Sequence, residues 1–442
     1  MASGTTLTAA QVADLRAVLA TGGLPDDAGD LVALIGELER LKSTAAAVQA
    51  EATVAFDAAR RSAESAAGVS ARRQGRGVAA EVGLARRESP HRGRVLVGFA
   101  RAVVAEMPHL LARLKDGTLS ELRAVLALRE LVCLGDDLRA FADEELFADP
   151  QALVGLGTRR LLAKVKRLAY ELDPATVTRR ASNAESDRHV SLRPAPDTMT
   201  YLTGLLPVAQ GVAARAALQR DAAALRAAGD PRSLGQLMAD LLVARVTGVP
   251  VGSGEAPPAV PVGINLVMPA GALAGDNAPG LVEGEVVPAE VARLLAARAL
   301  DAAGSEVATW VRRLFTDHTG RLVAMSSRQR TFPAGLAELL RIKGQGTCAS
   351  PYCDAPVRHA DHITPVADGG ATDADNGQGL CVACNHAKQA PGWRQQPVAD
   401  GPPGVETITP TGHRYRSHAP PPPGWREPRY VQVAPGRYQL VA

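Results

Sequence analysis

Aromatic side chains are scarce: Phe, Trp and Tyr together make up 3% of the 442 residues. The apolar interior must therefore come from aliphatic residues, and the first three hundred residues are rich in Ala, Leu and Val, with many Arg. No run of about 18 or more apolar residues occurs, so no membrane-spanning segment is expected. The start, MASGTTLTAA, has no basic n-region and no sustained apolar h-region, so no secretory signal is expected either. Cysteine is rare, at five residues, and the chain is too long to be a small disulfide-held scaffold. Charge of one sign is not in excess overall: 49 Lys and Arg stand against 46 Asp and Glu. At this length two domains are expected.

Four of the five cysteines are clustered. They read C-x4-C at Cys348 and Cys353, then C-x2-C at Cys381 and Cys384. Two close pairs separated by a loop are how a chain surrounds one tetrahedral Zn²⁺. Reduced thiolates of this kind suit a cytoplasmic protein. The fifth, Cys133, sits in an apolar helical run and is expected to be a buried, inert thiol.

The frame encloses more than a zinc knuckle needs. Between the pairs lie Asp361, His362, Pro365, Gly369, Gly370 and Asn376; after the last cysteine come Asn385, His386 and Lys388. An imidazole titrates near neutrality, so His362 can take a proton from water. A structural histidine is the plainer alternative. Asp361 offers a hard oxygen of the kind Mg²⁺ or Mn²⁺ prefers. Neighbours on a strand point to opposite faces, so Asp361 and His362 share one centre only if the strand ends or bulges there. Thr364-Pro365 just beyond supplies a turn signal. Asn376, in a loop, can bond backbone groups on both sides and hold the His-bearing segment. His359 is expected to face solvent or stand behind the site. Asp373 and Asp375 read as turn residues. Lys388, on the same helical face as Asn385, is either a phosphate contact or a solvated lysine.

The segment CASPYCDAPVRHADHITPVADGGATDADNGQGLCVACNHAKQAPGW (348–393) resembles an HNH endonuclease, the ββα-metal nuclease fold. The resemblance implies His362 as general base, Asp361 as ligand of a catalytic divalent cation (Mg²⁺ or another) and Asn376 as the central structural residue. It makes residue 385 the second ligand position. The name-giving pattern has His there; this chain has Asn385, with His386 adjacent. Helical neighbours diverge by about 100°, so the two cannot easily serve one ion. Asn385 is the first expectation and His386 the fallback. The resemblance further implies DNA as substrate, with 5′-phosphate and 3′-hydroxyl products.

The rest of the chain differs in kind. Residues 30–66 read as one long helix whose stripe Leu34, Leu38, Leu41, Ala45, Val48 and Ala52 is expected to face the core. Helices follow at about 92–104, 106–115, 119–134, 137–147, 158–171, 207–228, 231–247, 288–302 and 333–343. Asp116-Gly117 is a turn signal, and Thr118-x-x-Glu121 matches a capping box. Strands are expected at 187–193, 198–203, 262–268 and 280–287, and a hairpin from 307–315 and 322–325. Residues 249–261 read as a Gly/Pro-rich linker. The stretch ARRESPHRGRVLVGFARAVVAEMPHLLARLKDGTLSELRAVLALREL (85–131) is similar to the helical domain of unknown function often fused to HNH modules in actinobacteria, a likeness spanning about 30–310. The expected class is thus α+β: a mainly helical domain (30–310), a connector hairpin and helix (311–345), a small zinc-stapled nuclease domain (346–395) and a Pro-rich tail (396–442) with little structure beyond short strands.

Charge becomes informative locally. From Arg72 to Arg101 there are eight Arg (72, 73, 76, 86, 87, 92, 94, 101) against Glu81 and Glu88, a net of +6. Arg bonds phosphate through a planar fork, so Arg72, Arg73, Arg76, Arg86 and Arg87 are candidates for holding DNA. Pairing with acids on neighbouring helices is the alternative. Self-association through the helical domain is also an expectation. Two rivals to the nuclease stand beside it. One is a non-catalytic zinc-dependent DNA-binding protein that lost turnover through Asn385. The other is an interaction protein whose zinc is only a staple.

Overall fold

The computed structural model describes residues 6–248, 266–282, 284–301, 331–398, 403–421, 429–434 and 437–441. The expected linker at 249–261 and the hairpin at 307–325 lie outside the described residues. The chain divides into two compact units: one of Met1–Ala63 with Leu96–Thr178, the other of Glu64–Val95 with Arg179–Ala442. Among the described residues no single helix is long and apolar enough to cross a membrane.

The first unit is helical. It takes in α1 (Ala9–Thr21), most of α2 (Ala28–Ala66) and, beyond α3 (Val78–Ala85) and the start of α4 (Pro90–Ala105), the helices α5 (Pro108–Lys115), α6 (Glu121–Leu131), α7 (Asp136–Phe147) and α8 (Thr158–Leu172). Its core gathers Phe99, Val103, Met107, Leu110, Leu131 and Phe147. In α8, Leu161, Val165 and Ala169 recur every four residues and are buried, while Arg159, Arg160, Lys166 and Arg167 stay in water. Asp143, fully buried, accepts from the amides of His109 (2.7 Å) and Leu110 (2.8 Å), satisfying the open N-terminus of α5. Burial pushes its carboxyl above the usual range, against those two hydrogen bonds.

Three expectations fail here. The long helix is present, but its buried face is Ser43, Ala46, Ala47, Ala50 and Asp57; Leu38, Ala45 and Ala52 are exposed. That face is two residues along, about 200°, and so lies nearly opposite the apolar stripe. Small alanines let neighbouring elements approach closely, which a hydrophobicity pattern does not register. The capping box at Thr118 is absent as well. The Asp116-Gly117 turn uses the Thr118 amide, which donates to Asp116 Oδ1 at 2.9 Å, so α6 starts later, with Ser120 at its N-cap and no side-chain cap. Finally, Cys133 is only half-buried, its thiol directed at the Glu130 carbonyl (3.6 Å). The sequence also gave no sign of α1 or of α9 (Pro174–Ala184).

The second unit holds a β1–β2 hairpin (His189–Ala195 and Met199–Leu205), the paired helices α10 (Val208–Ala227) and α11 (Leu234–Thr247), and a small sheet β3-β4-β5 (Leu266–Val267, Gly280–Val282, Glu285–Val287) beside α12 (Ala270–Leu273) and α13 (Ala289–Asp301). The expected strand at 280–287 is thus two strands reversing through Gly284 (φ +91°). After α14 (Ala334–Lys343) come β6 (His359–His362), β7 (Gly377–Leu380) and α15 (Val382–Lys388). Strands β6 and β7 are antiparallel, with His362 opposite Gly377 and Asp361 opposite Gln378.

The tail departs most from expectation. Strands β8 (Arg394–Pro397), β9 (Gly404–Ile408) and β10 (Arg414–His418) form an antiparallel sheet in the order β10-β9-β8. It buries Val405, Glu406, Thr407 and Thr409. Arg416 and Arg414 hold the Glu406 carboxylate at 2.9 and 2.8 Å, and hydrogen bonding from Arg416 is the main cause that keeps its pKa below the usual range. A last hairpin pairs β11 (Arg429–Ala434) with β12 (Arg437–Val441).

Candidate active site

The four predicted cysteines come together. Cys348, Cys353, Cys381 and Cys384 are all buried, and their sulfurs lie within 4.8 Å of one another. Backbone geometry prepares the sulfurs as acceptors: the Cys381 amide donates to Cys348 Sγ (3.3 Å) and the Cys384 amide to Cys381 Sγ (3.4 Å), so Cys381 caps α15. Hydrogen bonds from Cys353 and Cys384 drive the Cys348 thiol far down in pKa, to about 2. The same bonding pushes Cys353 up to about 12, and Cys384 up as well. Left to itself, the cluster holds few of its possible negative charges, because thiolates this close repel one another. A divalent cation removes that obstacle, so the donor set fits a structural zinc ion.

Strand, loop and helix beside the cluster position the predicted polar residues. β6 ends at His362, which lets Asp361 and His362 serve the same end of the sheet. Asn376 fastens the returning loop. Its Oδ1 accepts from the Thr364 amide (2.8 Å), and its Nδ2 donates to the carbonyls of Thr364 (2.9 Å) and Ala371 (2.8 Å). Its backbone carbonyl accepts from Ile363, and its own amide donates to Asp373 Oδ1, both at 2.7 Å. Asp373 also accepts from Asp375, the turn role expected of that pair. Gly370 leaves room for this knot: a Cβ there would lie 1.9 Å from the Thr364 carbonyl oxygen.

His362 is partly buried between two neighbours. Its Nε2 lies 2.8 Å from Oγ1 of the buried Thr372, and its ring centroid lies 4.4 Å from that of Phe332. Burial is the main cause that holds the imidazole below its ordinary pKa; Asp361 and Asp373 oppose this, and Lys388 adds to it. The ring is therefore neutral, and able to accept a proton, at neutral pH.

Lys388 is not placed as a phosphate contact. Its side chain is 11% exposed; the ammonium donates to Asp361 Oδ2 at 2.6 Å and to the carbonyl of His362. Spacing along the helix put it on the right face but could not show that it reaches across to β6. Gln378 extends the contact, with its Nε2 at 3.4 Å from Asp361 Oδ2 and 2.7 Å from Gln395 Oε1. Asp361 Oδ1 has no hydrogen-bond partner among the described residues. Asn385 Oδ1 is buried and likewise lacks one, whereas His386 is exposed, as is His359.

Sequence reasoning missed the roles of Phe332, Gln378 and Gln395, which carry no motif signal. Thr372 lies within the segment that resembles the HNH family, but it carried no sign of its role. The polar link between His362 and Thr372 has a measurable consequence. Thr372→Val should slow DNA cleavage about tenfold, in line with the loss of an orienting partner. Thr372→Ser should restore it, and zinc content should not change in either. Equal cleavage by wild type and the Val variant would dismiss the orienting role.

A ββα unit stapled by four cysteines, with a histidine at the strand end, defines a metal-dependent nuclease site. The comparison with known families agrees: HNH endonuclease matches residues 348–390. The family described as Domain of unknown function (DUF222) matches residues 35–344, and the chain belongs to it. No curated protein and no solved structure matches the chain.

Proposed function

We propose that this HNH nuclease hydrolyses DNA phosphodiesters with His362 as general base, in a site that Asp361 and Asn385 complete by holding a divalent cation. What supports the ligand assignment is that Asp361 Oδ1, on β6, and Asn385 Oδ1, on α15, have no hydrogen-bond partner among the described residues. Bound there, a divalent cation would supply charge neutralisation at the departing 3′-oxygen. The chain's own groups do the rest. His362 Nε2 and Thr372 Oγ1 lie within hydrogen-bond distance; with Nε2–H as the donor, Nδ1 would keep its lone pair to take a proton from water. Lys388 fixes the carboxylate of Asp361 and the backbone of His362 together. Asn376 keeps the loop from unwinding under them. The four free thiols also support a reducing compartment such as the cytoplasm. α1, which buries none of its residues and exposes Val12, Leu15, Val18 and Leu19, supports self-association.

Asn385→Ala and His386→Ala separate the ligand from its neighbour. With plasmid cleavage titrated against Mg²⁺ or Mn²⁺, Asn385→Ala should need at least tenfold more metal, and His386→Ala should follow wild type. The opposite pattern would move the ligand to His386. The same metal requirement in both variants as in wild type would remove the helix from the cation site.

A further inference from the structure

The nuclease unit is not confined to the C-terminal third of the chain. Residues 64–95, within the DUF222 region, belong to the same compact unit as residues 348–390. Their contacts are specific. Glu81 of α3, 5% exposed, accepts from the amide of Thr411 (3.3 Å) and from its hydroxyl, across 330 positions of sequence. Gly77 (φ +88°) lies against the indole of Trp393, where a Cβ would meet Nε1 at 2.5 Å. Ala80, Leu84 and Pro90 line one crevice with Ala387 and Lys388 of α15. So α3 is seated on the helix that carries Asn385 and Lys388.

Both ends of α3 present arginine. At its N-terminal side, Arg72, Arg73 and Arg76 are exposed on a tight turn. That turn is held by the Gly75 amide on Glu64 Oε2 (2.6 Å) and by Gln74 Nε2 on the Val69 carbonyl (2.8 Å). At its C-terminal side the amides of Arg87 and Glu88 return to the carbonyls of Leu84 (3.0 Å) and Gly83 (2.8 Å). This is the αL helix stop that ordinarily takes Gly, yet residue 87 is Arg, at φ +57°, and exposed. Arg72, Arg73, Arg76 and Arg87 make no ion pair among the described residues. Arg101, from the same basic stretch, does: it holds Asp57 at 2.7 Å. The two acids within the stretch do not cancel the turn, since Glu81 is buried on Thr411 and Glu88 lies beyond Arg87.

We propose that residues 64–95 are the duplex clamp of this nuclease, with Arg72, Arg73 and Arg76 on one side of α3 and Arg87 on the other gripping the phosphate backbone of DNA. This rests on the nuclease reading and gives part of the DUF222 region a task within it. The segment contains no Phe, Tyr or Trp, so it has no platform on which unpaired bases could stack. Unpaired guanidinium forks on a rigid turn suit phosphate oxygens instead.

The test uses the full, zinc-loaded chain carrying His362→Ala, with a labelled 30-base-pair duplex followed by fluorescence anisotropy across a salt series. Adding Arg72→Gln, Arg73→Gln and Arg76→Gln together should weaken binding at least tenfold. The slope of log affinity on log salt should fall by about 0.9 for each phosphate contact removed. Arg87→Gly should weaken binding while leaving the melting temperature unchanged or higher, because Gly suits αL better; a purely structural Arg87 predicts a lower melting temperature and unchanged binding. Arg159→Gln with Arg160→Gln, exposed arginines of the other unit, is the control for net charge. The proposal falls if the parent does not bind duplex, if the triple variant keeps its affinity and slope, or if the control loses as much. Plasmid cutting by wild type is scored separately. A wild type that never cuts, but binds duplex through these arginines, sinks the nuclease reading and leaves the clamp standing.

Discussion

The His362→Ala variant is expected to keep its zinc and its fold and to lose plasmid cleavage by about 10²–10⁴-fold, the range of a general base. Retention of the fold follows from what the side chain touches. Removing it gives up one hydrogen bond to Thr372 and one ring contact with Phe332. The register of β6 on β7 is set by backbone pairing, and the following loop by Asn376, neither of which needs the imidazole. The wild-type pH profile supplies the sign. Proton uptake by His362 disables the base, so the rate should rise with pH and level off. Burial holds the imidazole low, which places that rise below the ordinary histidine range. The measurement is supercoiled plasmid cleavage with Mg²⁺ or Mn²⁺ between pH 5 and 9, with zinc quantified in every sample. A zinc-loaded His362→Ala protein that cuts as fast as wild type would remove His362 from the chemistry. A rate that declines as pH rises through 6 would contradict the neutral-imidazole reading.

The parts of this site legible in the sequence are those where spacing alone states the chemistry. Two cysteine pairs around a loop fix a tetrahedral cluster whatever the surrounding fold does. Asn376, an amide among turn residues, has donors and acceptors on two sides, and it bonds the backbone on both. Lys388 was legible only to its helical face; whether an ammonium looks outward or across to Asp361 depends on how far β6 lies from α15. α3 left almost no trace. It is eight residues long, flanked by Gly and Arg, and buries Val78, Ala80, Glu81, Val82, Gly83 and Leu84 in near succession, so it shows no amphipathic period. In α2 the signal was present and misleading, because alanine packs closest where hydrophobicity is weakest. The tail sheet was hidden behind its prolines, and its partner, Glu81, stands more than three hundred residues away.

Cys384→Ser should cost the nuclease module its fold rather than its chemistry alone. Cys384 is 4% exposed and its sulfur belongs to the four-thiol cluster. Structural zinc in small domains contributes about 10–16 kcal/mol of apparent binding energy near neutral pH. Whole domains are stable by only about 5–15 kcal/mol, so a weakened site is enough to unfold a module this small. The apolar cluster around the site offers little in compensation: apart from the four cysteines it buries Leu380 fully, and Ala349, Ala355 and Ala383 partly. Without the cation the cluster also resists charging, since Cys353 and Cys384 are pushed up while Cys348 is pulled down. Acid should therefore release zinc, because protons compete directly for the thiolates. The expected outcome is zinc content well below one per chain, no cleavage despite an intact His362, and fast amide exchange over β6, β7 and α15. The buried core of the helical unit, around Phe99, Leu110 and Phe147, should keep its protection, because it is a separate hydrophobic cluster in the other compact unit. Slow exchange at Gly377–Leu380 in a zinc-free variant would show that strand pairing and the packing of Leu380 suffice without the metal, and the zinc would then be an ornament of this fold rather than its support.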